Sequence, residues 1–436
     1  MWVATLDETG GMSLTLPSSL NATRFCMFQN DAHCLATSLA IFIMSTEQII
    51  GDIDVSYLDR HRDDADLAAH HSTLPPCSSL IMRKIGRTGK RQMPHMLTCG
   101  ISKHEGYRKP LAVSLVEQPC MKAHNLLEVV GEMQRNNDTA FREGHSDSNP
   151  KFTVAACPNS VYYYNNDFSA RFAEWVETLK AIGFSRVHIP TADVNPGLDK
   201  LYAYYEEKGM LGFTKQYYPE PAYNEPSLKR VYKRYEAMDS RGHDPIMCTD
   251  CLLRQMHKYR FIAHLDFDEI FMILKQDSFT DWLDSAVKKQ TIKSKNPPTY
   301  KFEMWPHTDD IPLASEAKTL PEYLYALRHS KMPTDRIKGV KLRHKCVYDM
   351  DTVLTVDSHD PIHCLPGKCS LRVVSRSEGH TGHFSSDRCG KPCQFPNNTE
   401  EITFLYPYKE QIQKQFSKHF KRCTFYSYDI LIFFFT

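Results

Sequence analysis

The run His264-Leu265-Asp266-Phe267-Asp268-Glu269-Ile270-Phe271 puts three carboxylates within four positions. They close an apolar stretch, Tyr259 to Leu265, that reads as a buried strand. Acidic groups this close repel, and burying them is costly unless a positive charge compensates. A divalent cation holding a phosphorylated substrate is the usual compensation. Hard carboxylate oxygens suit Mn²⁺ or Mg²⁺, and these ions keep positions open for phosphate oxygens. A metal on a diphosphate would also neutralise charge building on a leaving nucleoside diphosphate. The competing reading is a charged turn that caps the strand and bonds to backbone N–H groups.

Asp-x-Asp alone says little, because the chain has four: Asp52/Asp54, Asp64/Asp66, Asp266/Asp268 and Asp349/Asp351. Only Asp266/Asp268 follows an apolar strand and a helix in an alternating run. A phosphatase that forms an aspartyl phosphate also carries Asp-x-Asp after a strand, but continues with small residues where Glu269 and Ile270 stand here. A glycosidase needs two carboxyls about 5 to 9 Å apart, and nothing marks either Asp as the acid. No Gly-x-Gly-x-x-Gly, P-loop or Gly-x-Ser-x-Gly elbow occurs.

The elements that must position the cluster begin after Pro150. Phe152 to Ala156 and Val161 to Tyr164 read as strands. Phe172, Trp175, Val176, Leu179 and Ile182 recur at helical spacing, with Gly183 as the stop. Arg186 to Ile189 is a short strand. Pro196 opens a second helix carrying Leu198, Leu201, Tyr202 and Tyr205 on one face, and Gly209 closes it. Leu211 to Tyr217 reads as a strand. A third helix, Cys248 to Tyr259, leads into Phe261 to Leu265. Alternation of this kind predicts an α/β fold with a mainly parallel sheet. Ligands bind such sheets beyond the carboxyl ends of the strands, where the acidic cluster lies.

Four regions are expected. Residues 1–76 show no clear periodicity and read as unassigned or disordered, 77–131 as β-rich, 132–150 as a polar linker, and 151–425 as the α/β domain. A net charge of +1 implies no polyelectrolyte partner, so nucleic acid is not expected. Fourteen cysteines, six of them between Cys346 and Cys423, point to disulfides in an oxidising compartment. The alternative is a zinc site of Cys364, Cys369, Cys389 and Cys393, whose spacing is unusual for one. Cys248-Thr-Asp-Cys251 has redox-motif spacing, but Cys251 reads as structural and paired. Sequons at Asn21, Asn137 and Asn397 are compatible with a secretory route. Cys34 to Met44 is about half the apolar length a bilayer span needs, so no full anchor is visible, and both chain ends read as incomplete.

The ordered elements resemble those of the family-92 glycosyltransferases. Pro110-Leu-Ala-Val-Ser-Leu-Val116 resembles the segment ahead of that family's catalytic domain, and Phe152-Thr-Val-Ala-Ala-Cys157 its first strand. Trp175 to Gly183 and Leu201 to Gly209 resemble its two helices that end in Gly. Asp250-Cys-Leu-Leu-Arg254 with His264-Leu-Asp-Phe-Asp-Glu269 resembles its most specific signature. Lys345 to Val347, Val356 and His359-Asp-Pro361 resemble its later elements. A His-Tyr-Arg element is replaced here by His383-Phe384-Ser385, which puts an Arg contact to phosphate in question.

The resemblance implies a GT-A-like sheet, a UDP-sugar donor with galactose foremost, Mn²⁺, and inversion at the anomeric carbon. It also implies a glycan or glycoprotein acceptor such as an N-glycan core fucose, and a Golgi membrane protein with a lumenal domain, or a secreted one if the anchor is absent. On that basis Asp268 is expected to ligate the metal, and Asp266 to bind the donor ribose or the metal through water. Glu269 is expected to support the loop, and Lys345 to bind diphosphate as a point charge. A further metal ligand is sought in His359 or His383. An inverting transferase also needs a base, for which Glu303, Asp309 and Asp310 are candidates. Trp305 beside them reads as core or as a sugar-stacking ring.

Overall fold

The computed structural model describes short strands between Ala4 and Glu128, and then residues 153–159, 167–191, 194–215, 225, 228, 244–256, 258–291, 299–336, 343–365, 367–385 and 398–423. Among the N-terminal strands, Ser38–Ser45 pairs antiparallel with Met93–Gly100, and Asp54–Leu58 with Ala112–Val116. The expected strand at Val161 to Tyr164 and the three sequon asparagines lie outside the described residues.

The α/β part runs β1 (Val154–Ala156), α1 (Ser169–Ala181), β2 (Arg186–Thr191), α2 (Pro196–Glu207), β3 (Leu211–Lys215), α3 (Asp244–Gln255) and β4 (Phe261–Ala263). These four strands pair in parallel in the order β3-β2-β1-β4. The alternation read from the sequence is therefore the fold. The sheet then continues with β5 (Glu269–Ile273), β6 (Thr299–Pro306), β7 (His344–Asp349), β8 (Leu371–Val373) and β9 (Gly379–His383). The full order is β3-β2-β1-β4-β7-β6-β9-β5, with β8 also on β6. Five of its pairings are parallel and three antiparallel, a mainly parallel sheet flanked by helices.

Helix α1 forms because its apolar positions fall on one face. Phe172, Trp175, Val176 and Leu179 are all buried against the sheet. It ends at Gly183, whose φ of +108° suits glycine, and an added Cβ would stand 2.5 Å from Thr280 Oγ1. Helix α2 starts where Asn195 accepts the Gly197 N–H, with Pro196 in the first turn.

Alternation along the strands divides the core. Phe261 and Ala263 join the α1 side, and Ile262 joins a second cluster with Cys157, Cys248, Cys251, Cys346 and Tyr348. Among the described residues two disulfides form, Cys157–Cys251 and Cys364–Cys369. Pairing of Cys364 with Cys369 removes two ligands of the zinc alternative. Cys248 is a buried thiol, so Cys248-Thr-Asp-Cys251 is not a redox disulfide.

Candidate active site

The chain leaves β4 at His264 and delivers its carboxylates beyond the carboxyl end of the parallel strands. Asp266 is gripped from two sides. Asn159 Nδ2, just past β1, donates to Oδ1 at 2.7 Å, and Lys345 Nζ on β7 donates to Oδ2 at 2.8 Å. The same ammonium lies 3.0 Å from Glu269 Oε2. Lys345 and Glu269 are buried, whereas the Asp266 side chain is 33% exposed. Glu269 also folds the loop, accepting the Asp266 N–H at 2.8 Å. An aromatic wedge seats the loop on α1: Phe267 packs edge-on to Trp175 at 4.9 Å, and the Trp175 indole N–H donates to the Glu269 carbonyl.

Electrostatics follow from this packing. Burial opposes the charge on Asp266, but Lys345, His264 and Asn159 outweigh it and hold the carboxyl well below the usual range. Burial pushes Glu269 up; Lys345 pulls it back, and Asp266 and Asp268 push it up again. Burial also works against the Lys345 cation, yet Asp266 and Glu269 keep it firmly protonated. His264, buried beside Cys248, is lowered to about 3, first by burial and then by Lys345.

Asp268 stands apart from Lys345 and meets His383 instead. His383 Nε2 lies 3.2 Å from Asp268 Oδ2, and both side chains are 35% exposed. Burial disfavours a charged His383, but Asp268, Glu269 and Asp266 together raise it above the ordinary histidine value. One ligand atom each from Asp268, Glu269 and His383 lie within 4.8 Å of one another. Two carboxylates and an imidazole are a donor set that fits Mn²⁺. Strand pairing creates this group, since Glu269 stands opposite His383 in the β5–β9 register.

Other expected residues lie elsewhere. His359 is not in that group: its Nδ1 donates to the His344 carbonyl at 2.9 Å, and burial and Lys345 lower it. Glu303 pairs with Arg336 at 2.6 Å. Asp309 lies just past β6, where Tyr325 donates to it at 2.9 Å and His329 Nε2 stands at 3.0 Å. Trp305 is buried under the Arg376 guanidinium, 3.9 Å from its ring centre. Asn159, Tyr325 and His329 were not singled out from the sequence. For Asn159, a signal was its position directly after the first strand, which faces the same edge as the cluster.

The family model of glycosyltransferase family 92 matches residues 152–420. The chain belongs to glycosyltransferase family 92. No curated protein matches it. Family-92 membership makes the chain a glycosyltransferase, which implies a sugar donor and an acceptor. The matched segment contains the whole sheet and every side chain of the cluster. The two disulfides are consistent with the secretory pathway. Among the described residues no helix is long and apolar enough to cross a membrane.

Proposed function

We propose that this family-92 enzyme moves a hexose, galactose foremost, from a UDP-sugar to a glycan with inversion, using Mn²⁺. An N-glycan core fucose is the proposed acceptor and the Golgi lumen the proposed site of action. The observation that carries this reading is the Asp268–Glu269–His383 group beside an Asp266 already neutralised by Lys345. Lys345 compensates Asp266 and part of Glu269, and the remaining negative charge sits on the half that faces His383.

In the proposed mechanism Asp268, Glu269 and His383 would hold the metal. When bound, it supplies Lewis-acid stabilisation for a leaving diphosphate. Asp266 is fixed by Asn159 and Lys345 so that its open edge accepts from the donor ribose. Lys345, buried between two carboxylates, acts on the donor through the orientation and charge of Asp266. Trp175 and Phe267 keep the loop from reorganising as charge develops.

The test is Mn²⁺-dependent UDP release across UDP-sugars, with and without fucosylated N-glycan acceptors, for the wild type and Asp268→Asn. The variant is expected to lose Mn²⁺-dependent UDP binding, seen by calorimetry, and at least about 100-fold in transfer, the scale of one lost charge-stabilising group. Transfer and Mn²⁺ dependence that both survive would remove Asp268 from the metal site. Cleavage of simple phosphate esters without acceptor would favour a phosphohydrolase, and donor binding without turnover a carbohydrate-binding protein.

A further inference from the structure

Three carboxylates, Glu303, Asp309 and Asp310, were candidates for the acceptor-side base, and the strand that carries Glu303 separates it from the other two. Glu303 is interior to β6, opposite His344, while its neighbour Phe302 is opposite Lys345. Side chains alternate along a strand, so Glu303 projects from the sheet face opposite to Lys345. It is also neutralised by Arg336.

Asp309 differs in both respects. Strand β6 is antiparallel to β7, and β7 is antiparallel to β4. β6 therefore points the same way as β4, and Asp309 leaves the same edge of the sheet as Asp266 and Asp268. Pro306 is in register with His383, and the His307 N–H donates to the His383 carbonyl at 2.9 Å. Asp309 thus follows two residues after a backbone contact to the residue that faces Asp268.

The surroundings of Asp309 are built rather than incidental. Its Oδ1 takes the Tyr325 hydroxyl and faces His329 Nε2, and the side chain remains 43% exposed. The His329 ring is held from its other side. Its Nδ1 lies 2.8 Å from the Tyr325 carbonyl, which only accepts, so Nδ1 donates there, and Nε2 could donate to Asp309 only in a doubly protonated ring, which burial disfavours. The ring stacks on Tyr325 at 3.8 Å. Tyr325 and His329 belong to and follow a short helix, α4 (Tyr325–Arg328), whose Leu327 N–H is anchored by the buried Glu174 of α1. Arg171, also on α1, covers the Tyr325 ring at 3.3 Å and reaches the Phe384 carbonyl at 3.4 Å. The Phe384 N–H in turn donates to the Asp268 carbonyl at 2.7 Å. The same helix that seats the acidic loop seats the Asp309 cluster.

We infer that Asp309 is the base that takes the acceptor proton, and that Tyr325 is the positioning residue whose hydroxyl holds its carboxylate. The inference rests on the transferase reading above. The acceptor hydroxyl gives its proton to the Asp309 carboxylate as its oxygen bonds the anomeric carbon. The bond from that carbon to the diphosphate oxygen breaks, and its electron pair leaves with UDP.

The experiment uses the UDP-sugar and glycan pair that gives the fastest Mn²⁺-dependent UDP release with the wild type. Asp309→Asn is expected to lower kcat by about 10²- to 10⁴-fold, the range for a general base, with Mn²⁺-dependent UDP binding unchanged. Glu303→Gln is expected to hold kcat within about threefold. Tyr325→Phe keeps the ring under Arg171 but loses the hydroxyl that donates to Asp309, and is expected to cut kcat with donor KM unchanged. Asp309→Asn with near wild-type kcat, or Glu303→Gln with the large loss, overturns the assignment. Wild-type kcat in Tyr325→Phe, or a loss confined to donor KM, overturns the positioning role. A wild type that neither binds UDP with Mn²⁺ nor turns over defeats the transferase reading itself, a result distinct from these.

Discussion

Lys345 explains how three carboxylates can share one loop. Its ammonium, withdrawn from water, sits between Asp266 and Glu269 and compensates them together. Removing one partner of a buried ion group leaves uncompensated charge, typically at a cost of about 3–5 kcal/mol. Lys345→Met is therefore expected to lose about that much stability in urea denaturation. Saturating Mn²⁺ should then stabilise the variant more than the wild type, because the metal becomes the principal cation for the loop. A loss below about 1 kcal/mol, the value of an exposed pair, would show that Lys345 does not carry the compensation. The contrast with Asp349/Asp351 is instructive. There the same spacing is a capped turn: Asp349 is buried, accepts the Asp351 N–H at 3.1 Å and pairs with Arg260. Residue type and spacing were identical in the sequence; the strand that precedes the pair and the partners it meets were what differed.

Among the elements, β1 and α3 illustrate how a covalent link serves the site. Cys157–Cys251 ties the segment after β1 to α3 across a separation of 94 residues, and Asn159 lies two residues beyond the bridge. Closing so long a loop in the unfolded chain corresponds to about 4.7 kcal/mol on the chain-entropy model. The double variant Cys157→Ala/Cys251→Ala is expected to lose stability on that scale in denaturant titration, and to bind UDP more weakly because Asn159 is no longer fixed on Asp266. Unchanged stability and UDP affinity would mean that the surrounding core alone holds this segment. The elements that the sequence displayed clearly were the ones with local signals: α1 and α2 by their apolar spacing, Gly183 and Gly209 by their place at the helix ends, β4 by its unbroken apolar run. Less legible were β6, β7 and β9, whose pairings join residues far apart in the chain. His383 stood behind His359 as a candidate in the sequence until its register against Glu269 distinguished it. Tyr325 and His329 had no periodic pattern around them, since a four-residue helix is too short to show one.

Across the molecule, the buried ionisable groups form two populations that act in opposite directions on stability. Burial lowers His264 to about 3 and His307 to about 4, and drives His380 down as well. The unfolded chain takes up protons at these positions near pH 6.5 while the folded chain does not, so acidification from pH 7 destabilises. Burial raises Glu174 to about 7, against the pull of the Ala326 and Leu327 N–H groups and Arg171, and raises Asp349 to about 6. For these carboxyls the folded chain holds the proton that the unfolded chain has lost. Their contribution is present in full below about pH 4.5 and is lost as pH rises through the folded value. Glu174 isolates this second population because it is not one of the metal group and is buried on α1 against α4. Its rise from 4.5 to about 7 corresponds to roughly 3 kcal/mol between pH 4.5 and 8. Glu174→Gln keeps an oxygen for the Leu327 N–H and has no proton to lose. The melting temperature of the variant should therefore rise relative to that of the wild type as pH increases from 4.5 to 8. With the carboxyl removed, the histidines act with less opposition, so the variant's own stability should fall more steeply on acidification. Melting curves that stay parallel over this range would mean that Glu174 ionises in the folded protein as it does in water, and that its burial is relieved by the surrounding N–H groups.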